Sequence, residues 1–277
     1  MLISVSELKK DVDKYVALAE TQEVIVTKDG NPVAKIMSAD ATNALSLESV
    51  LRALPIDVDV DAANVEDQLG RLYPTLNIFA DFVGVRSGKE RGYADRMRRY
   101  LEIVLKDLAK RDHYKDDIAS WDTNLLLLST QLHDVGEAAV TESFLKKTGE
   151  LTEEEFNEIK VHTELGIKIV KQAEDTLDLG TMFRYAEIMA GSHHEKWDGS
   201  GYPLGLKADE IPLQGRIMAI VDVYNALTTD RPHREKKTHK EAVEIIKNGS
   251  GTHFDPGLVE AFVEHESEFM KVRDESK

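Results

Sequence analysis

The sequence contains no cysteine. That excludes a disulfide framework and any thiolate metal site, so a metal in this chain has to be held by His, Asp and Glu. No apolar run reaches about 18 residues, the length at which a membrane-spanning helix is considered. The N-terminus lacks the charged-then-apolar pattern of a signal peptide. A cytoplasmic location with no membrane contact is the expectation. Positive charge is also short: 35 Lys and Arg stand against 51 Asp and Glu, a formal net charge of -16. This argues against an electrostatic grip on nucleic acid by the chain as a whole, while leaving room for a local positive pocket for a small anion. What is present is a hydrophobic content of 42% over 277 residues, enough for one large domain or two smaller ones.

Residues 1–40 read as a small α/β unit of β-α-β-β order. "LISV" is a short strand, and "SELKKDVDKYVALAE" is a helix with Ser6 as N-cap and Leu8, Val12, Tyr15, Val16 and Ala19 on one face. "EVIVT" and "PVAKIM" are strands separated by "KDGN", a hairpin signal. The helix, its "KY" and "LA" pairs and the following "VIVTKDGNPVA" resemble the N-terminal part of Phd/YefM-type antitoxins. The resemblance implies a dimerising unit that in antitoxins touches DNA. Five Lys against seven acids over residues 1–40 argue against DNA here, which leaves a homodimerisation or docking module.

Residues 41–85 form a helical linker region. "ALSLESVLRAL" is helical and "PIDVDVDA" is an acidic break. From residue 86 to 277 the pattern is helical almost throughout. "DRMRRYLEIVLKDLAK" puts Met97, Tyr100, Leu101, Val104, Leu105 and Leu108 on one face. "TEEEFNEIKVHTELGIKIV" opens with a capping box of Thr152 and Glu155, and "DPGLVEAFVEHE" has Asp255 as N-cap with Pro256 at the first helical position. The expected fold is mainly α: an all-α C-terminal domain preceded by the small α/β unit.

Chemistry-bearing residues concentrate in that helical half. His133 and Asp134 close an apolar helix in "LLLLSTQLHDVGE". His162 lies on the inward face of "EIKVHTELG", and His193 and His194 end "YAEIMAGSHH" on the side of Met182, Ala186 and Met189. Asp222 sits inside "RIMAIVDVYNAL", apolar on nearly every side, where an ionised carboxylate is costly without a partner. A lone His on an apolar face is more often a hydrogen-bonded core residue, and a lone buried Asp is usually paired with an Arg or an amide. Four histidines and two aspartates pointing inward from one α domain are a different matter. Neutral imidazole and carboxylate are the ligand set for Fe, Mn or Zn, and one carboxylate can bridge two metals about 3.5–4 Å apart, the spacing used on phosphoesters.

"HDVGE", "KVHTELG", "HHEKWDGSGYP", "IVDVYNALTTDRPHR" and "GSGTHFDP", in this order between Arg86 and Phe262, resemble the HD-GYP family, a subgroup of the HD metallo-phosphohydrolases. The resemblance implies an all-α domain that hydrolyses cyclic di-GMP through a metal-bridging hydroxide, with two or three divalent metals in the family and a binuclear centre expected here, iron or manganese in preference to zinc. It places the metal ligands on His133, Asp134, His162, His193, His194 and Asp222, with Asp134 as the bridge. It puts Tyr202 against the substrate and Arg231 and Arg234 on the dinucleotide phosphates, where planar guanidinium groups suit the oxygens. Gly199 and Gly201 then give the turn beside the metals its backbone angles.

The chain departs from the family pattern at four positions. Where an "ETGNH"-like stretch supplies Glu and His, this chain has Lys89 and Tyr93. A protonated Lys cannot ligate and a neutral phenol is a poor ligand, which removes a third metal and weakens one of the other two. Where the family reads "HDxGK", this chain has Glu137 in place of the phosphate-contacting Lys. As a lone anion there, Glu137 would shift the phosphate interaction by on the order of several kcal/mol at an effective dielectric near 20; as a catalytic-site group it is counted with Asp134. Asn225 replaces a second Asp. These departures keep two functions in view: a phosphodiesterase, slowed by the changes, or a catalytically degenerate domain that binds cyclic di-GMP or metal and signals through its N-terminal unit.

Overall fold

The computed structural model describes residues 2–4, 7, 24–28, 31–36, 65–174, 180–230 and 235–275. The chain divides into two compact units, Met1–Ser46 and Leu47–Lys277.

In the first unit, strands β1 (Leu2–Ser4), β2 (Val24–Lys28) and β3 (Asn31–Ile36) form one sheet in the order β1-β2-β3. β1 runs parallel to β2, with Ile3 opposite Val26, and a parallel neighbour requires a crossover between them. The helix expected in that crossover lies outside the described residues apart from Glu7. β2 and β3 are antiparallel, and the two residues between them are the Asp-Gly pair that a tight hairpin favours. The register shifts between Val26 and Thr27, where Thr27 meets Pro32, a residue with no N–H for the ladder. The helix and acidic break expected over residues 44–62 also lie outside the described residues.

The second unit is helical. Its helices are α1 (Val65–Arg86), α2 (Tyr93–Leu108), α3 (Lys115–Ala119), α4 (Thr123–Ser129), α5 (Glu142–Leu145), α6 (Glu153–Lys160), α7 (His162–Glu174), α8 (Gly180–Ser192), α9 (Leu213–Thr228), α10 (His239–Asn248), α11 (Pro256–Glu264) and α12 (Glu266–Glu275). None of these is both long and apolar enough to cross a membrane. The apolar face read from the α2 sequence is buried at every position from Met97 to Leu108 named above. It packs on α9, where Tyr100 and Tyr224 meet edge-on and Phe262 and Phe269 close the cluster. Each such fully buried large side chain contributes about 1.5–3 kcal/mol. A second cluster joins Leu72, Leu76, Phe79 and Val83 of α1 to Leu132, Val135, Val170 and Phe183.

The sequence between Thr152 and Val170 is broken at Val161 into α6 and α7. The capping box of Thr152 and Glu155 opens α6. The break lies where the turn Val135–Ala139 abuts the chain. A Cβ on Gly136 would fall 1.9 Å from the His162 carbonyl oxygen, so only glycine allows this approach. The contact seats the start of α7, and with it His162, directly beside Asp134. Asp255 caps α11 through the Gly257 N–H at 2.9 Å, with Pro256 at the first position.

Candidate metal centre

Five segments of the larger unit converge. The short 3-10 turn Thr130–Leu132 ends on His133 and Asp134. α7 begins with His162, α8 runs into His193 and His194, and the middle of α9 carries Asp222. The turn between α1 and α2 supplies Lys89, and α2 begins with Tyr93. One ligand atom each from Asp134, His162, His193 and His194 lie within 4.8 Å of one another; His133, Asp134 and Asp222 make a second such group sharing Asp134.

The two Asp134 oxygens face different sides. Oδ1 lies 3.3 Å from His193 Nε2 and 3.5 Å from His162 Nε2. Oδ2 lies 2.9 Å from His133 Nε2. Three imidazoles are oriented by the backbone: His133 Nδ1 meets the Thr130 carbonyl at 2.7 Å, His162 Nδ1 the Ile159 carbonyl at 2.7 Å, and His193 Nδ1 the Met189 carbonyl at 2.8 Å. A carbonyl only accepts, so each Nδ1 carries a proton and each Nε2 is directed at Asp134. Burial holds His162 below the usual imidazole range, against the pull of the Asp134 charge. Burial, joined by the neighbouring His193 and His162 charges, holds His194 far below it. For His193 burial is outweighed by its hydrogen bond to Asp134, and the ring is raised. Burial alone would raise the Asp134 carboxyl, but His133 and Lys89 outweigh it and keep it well below the usual carboxylate range. An anionic carboxylate ringed by imidazoles already oriented by the backbone fits a divalent transition metal.

The Oδ2 side holds further groups. Lys89 Nζ donates to Asp134 Oδ2, to Glu137 Oε2 at 2.8 Å and to the Tyr93 hydroxyl at 3.3 Å. Its side chain is 3% exposed. The Tyr93 hydroxyl lies 2.5 Å from His133 Nε2 and donates to Asp134 Oδ2 at 2.9 Å. Burial, reinforced by the charges of Asp134, Asp222 and Glu137, raises the Tyr93 phenol well above its ordinary value, so it is a neutral donor. Glu137 is therefore not the lone anion that its place in the sequence suggests. It is paired with Lys89, and the charge swing expected from an isolated carboxylate does not apply.

The segment Ser192–Pro203 wraps back on the histidines. Tyr202 stacks on His194 with ring centroids 4.7 Å apart and stands edge-on to His162 at 6.4 Å. Burial and the nearby carboxylates push its phenol far up. Gly199 has φ of +85°, the left-handed region that glycine favours. Gly201 is required for a different reason from the backbone angle expected of it: a Cβ there would meet Lys196 N at 2.3 Å and Glu195 Cα at 2.5 Å. Glu195, which carried no role in the sequence reading, is the anchor of this turn. Its buried carboxylate accepts the backbone N–H groups of Leu204 at 2.7 Å, Gly205 at 3.1 Å and Leu206 at 3.0 Å. An acid directly after two histidines and just before a Gly-rich turn was the available signal. Arg231 and Arg234 lie outside the described residues. Asn225 accepts from Arg96 Nε at 3.1 Å.

Residues 78–258 match the family model described as HD domain. The chain belongs to the HD domain family. Residues 1–59 match a second model, described as antitoxin Phd_YefM of a type II toxin–antitoxin system. The chain is 39% identical, across 178 residues, to a probable cyclic di-GMP phosphodiesterase of Vibrio cholerae serotype O1, covering 64% of this chain and 40% of that protein. It is 34% identical over 194 residues to a 3'3'-cGAMP-specific phosphodiesterase of the same organism, covering 70% and 35%. A cyclic di-GMP phosphodiesterase of Thermotoga maritima shares 43% identity over 142 residues, 51% and 37% of the two chains. The chain thus spans 35–40% of the length of these relatives. The HD domain match and the motif resemblance to the HD-GYP subgroup agree, and both centre on the His and Asp cluster described above.

Proposed function

We propose that the HD domain is a metal-dependent phosphodiesterase for cyclic dinucleotides, with cyclic di-GMP as its first substrate. The observation that carries this reading is the anionic Asp134 held against three Nε2-directed imidazoles with Tyr202 stacked beside them. The relatives named for cyclic di-GMP and 3'3'-cGAMP hydrolysis support the substrate class. A bound divalent metal, iron or manganese on this His and carboxylate set, supplies Lewis acidity at a phosphoryl oxygen and lowers the pKa of the attacking water. His162, His193, His194 and Asp134 would hold it, and His133 and Asp222 form a second ligand group with Asp134. The neutral Tyr202 phenol offers a donor and a ring face to a base, and Arg231 and Arg234 take the phosphates. The N-terminal unit serves as a homodimerisation module in the cytoplasm.

A second reading, a binding module without turnover, is favoured by one observation: Lys89 fills space on the Oδ2 side. Incubating the metal-loaded full chain with cyclic di-GMP and with 3'3'-cGAMP, and separating the products by chromatography, distinguishes the two. Linear or mononucleotide product supports the enzyme. Tight binding with no product supports the module.

A further inference from the structure

We propose that Lys89 is a resident cation that occupies the second metal position, so that the centre takes one metal ion on the Oδ1 side of Asp134 and none on the Oδ2 side. The proposal deepens the metal-dependent phosphodiesterase reading and rests on it for the role of the site, but its test counts metals and does not depend on turnover.

The geometry is specific. A second metal bridged by Asp134 would have to bind Oδ2 and His133 Nε2, which are 2.9 Å apart, with Asp222 completing the group. Ligand bonds to such metals are about 2.0–2.2 Å long. Lys89 Nζ already donates to that same Oδ2 and to Glu137 Oε2. The Tyr93 hydroxyl, 2.5 Å from His133 Nε2, takes the remaining approach to the imidazole. The ammonium also lies over the Tyr93 ring, 4.5 Å from its centroid. Nζ is thus fixed by two carboxylates, a phenol and a ring face, and it is sealed from solvent. A divalent ion entering here would meet a like charge at contact distance and two ligands already engaged. Oδ1 faces His162 and His193, His194 belongs to the same ligand group, and no cation contacts this oxygen among the described contacts.

The arrangement is built into the backbone. Lys89 leaves a turn in which Gly88 has φ of +76° and Gly92 of +73°, and its own N–H donates to the Gly84 carbonyl at 2.8 Å. A Cβ on Gly84 would lie 3.4 Å from Lys89 Cβ and Cδ and 3.3 Å from the Tyr93 ring, so the glycine leaves room for the Lys stem to pass. On this account the binuclear centre implied by the family resemblance is replaced by one metal and one ammonium. Lys89 supplies the positive charge on the Oδ2 side, and Glu137 holds Lys89 rather than contacting the metal.

The test is metal counting on the full-length chain, stripped with chelator and reloaded with Mn(II). The wild type, Lys89→Met and Lys89→Glu are compared by elemental analysis after gel filtration and by electron paramagnetic resonance. We expect about one manganese per wild-type chain with the six-line signal of an isolated ion. Lys89→Met and Lys89→Glu should take about two, with the broadened signal of ions coupled across the roughly 3.5–4 Å of a carboxylate-bridged pair. Two equivalents in the wild type, none in the wild type, or one in all three proteins would each overturn the proposal. If a variant does not fold, the wild-type stoichiometry alone still decides against it when it is two or none. A chain with one metal that fails to hydrolyse any cyclic dinucleotide sinks the phosphodiesterase reading and leaves this proposal standing. A chain with two metals that does hydrolyse them gives the opposite result.

Discussion

Replacing Glu195 by Gln isolates the contact that shapes the substrate-side wall. In the native chain one buried carboxylate oxygen accepts the Leu204 and Gly205 N–H groups and the other accepts that of Leu206. Gln keeps a single acceptor oxygen. Its amide can satisfy Leu204 and Gly205 only by turning its NH2 group against the Leu206 N–H, donor against donor. One charge-assisted hydrogen bond is lost, about 1.5–3 kcal/mol. If the turn and the helical unit unfold together, that lowers the melting temperature by about 3–12 °C for a domain of this size. If the turn opens alone, the melting temperature stays and the amides of residues 204–206 exchange roughly 10- to 150-fold faster, since each 1.4 kcal/mol is a factor of ten. Hydrogen exchange read by NMR covers both cases. Metal content should remain at the wild-type level, because Glu195 touches no ligand among the described contacts, while nucleotide affinity falls as Tyr202 loses its seat on His194. Unchanged protection at those three amides together with an unchanged melting temperature would refute the assignment of Glu195 as the anchor.

Glu137→Gln removes one of the two described carboxylate partners of buried Lys89 and should lower stability by about 1–3 kcal/mol in urea titration; Glu137→Lys, which sets a second ammonium beside the first, should lower it further. His253 is depressed by burial, with Lys196 adding to the effect, from 6.5 to about 4. A base whose folded pKa lies below its unfolded value binds fewer protons in the native state, so its contribution is complete above about 6.5 and is lost as pH falls towards about 4. The loss is below about 3 kcal/mol, at about 1.4 kcal/mol per unit less solvent screening, and His253→Gln should flatten the pH dependence of stability over that window. Light scattering should give a dimer for the full chain and a monomer after removal of residues 1–40; a dimeric truncation would move the contact elsewhere.

Much of the site was legible because metal chemistry leaves few residue types to choose from. With no cysteine, inward-facing His and Asp on helices of one domain had to serve each other or a metal, and the six positions so chosen do converge. The helical face of Met97 to Leu108 and the caps at Thr152 and Asp255 were equally plain, since 3.6-residue periodicity and capping chemistry are local. What was not legible depended on contacts distant in sequence. Lys89 and Glu137 are 48 positions apart, and read singly each looked like a loss of function. Their opposite departures in charge from the family pattern carried a hint of a compensated pair, which becomes definite only when the turn before α2 folds onto Asp134. The break at Val161 was hidden for a similar reason: it follows from the approach of Gly136, not from any breaker in the helix sequence.

Metal-dependent cleavage of a cyclic dinucleotide at Asp134 can be followed by phosphorus NMR of cyclic di-GMP mixed with the full-length chain during stepwise loading with manganese. A phosphomonoester signal should grow at a rate proportional to the metal bound, stop growing on chelation, and be absent in Asp134→Asn, which should also fail to retain metal. Bound cyclic di-GMP that stays intact on the metal-saturated wild type, or equal product from Asp134→Asn, would contradict this reading.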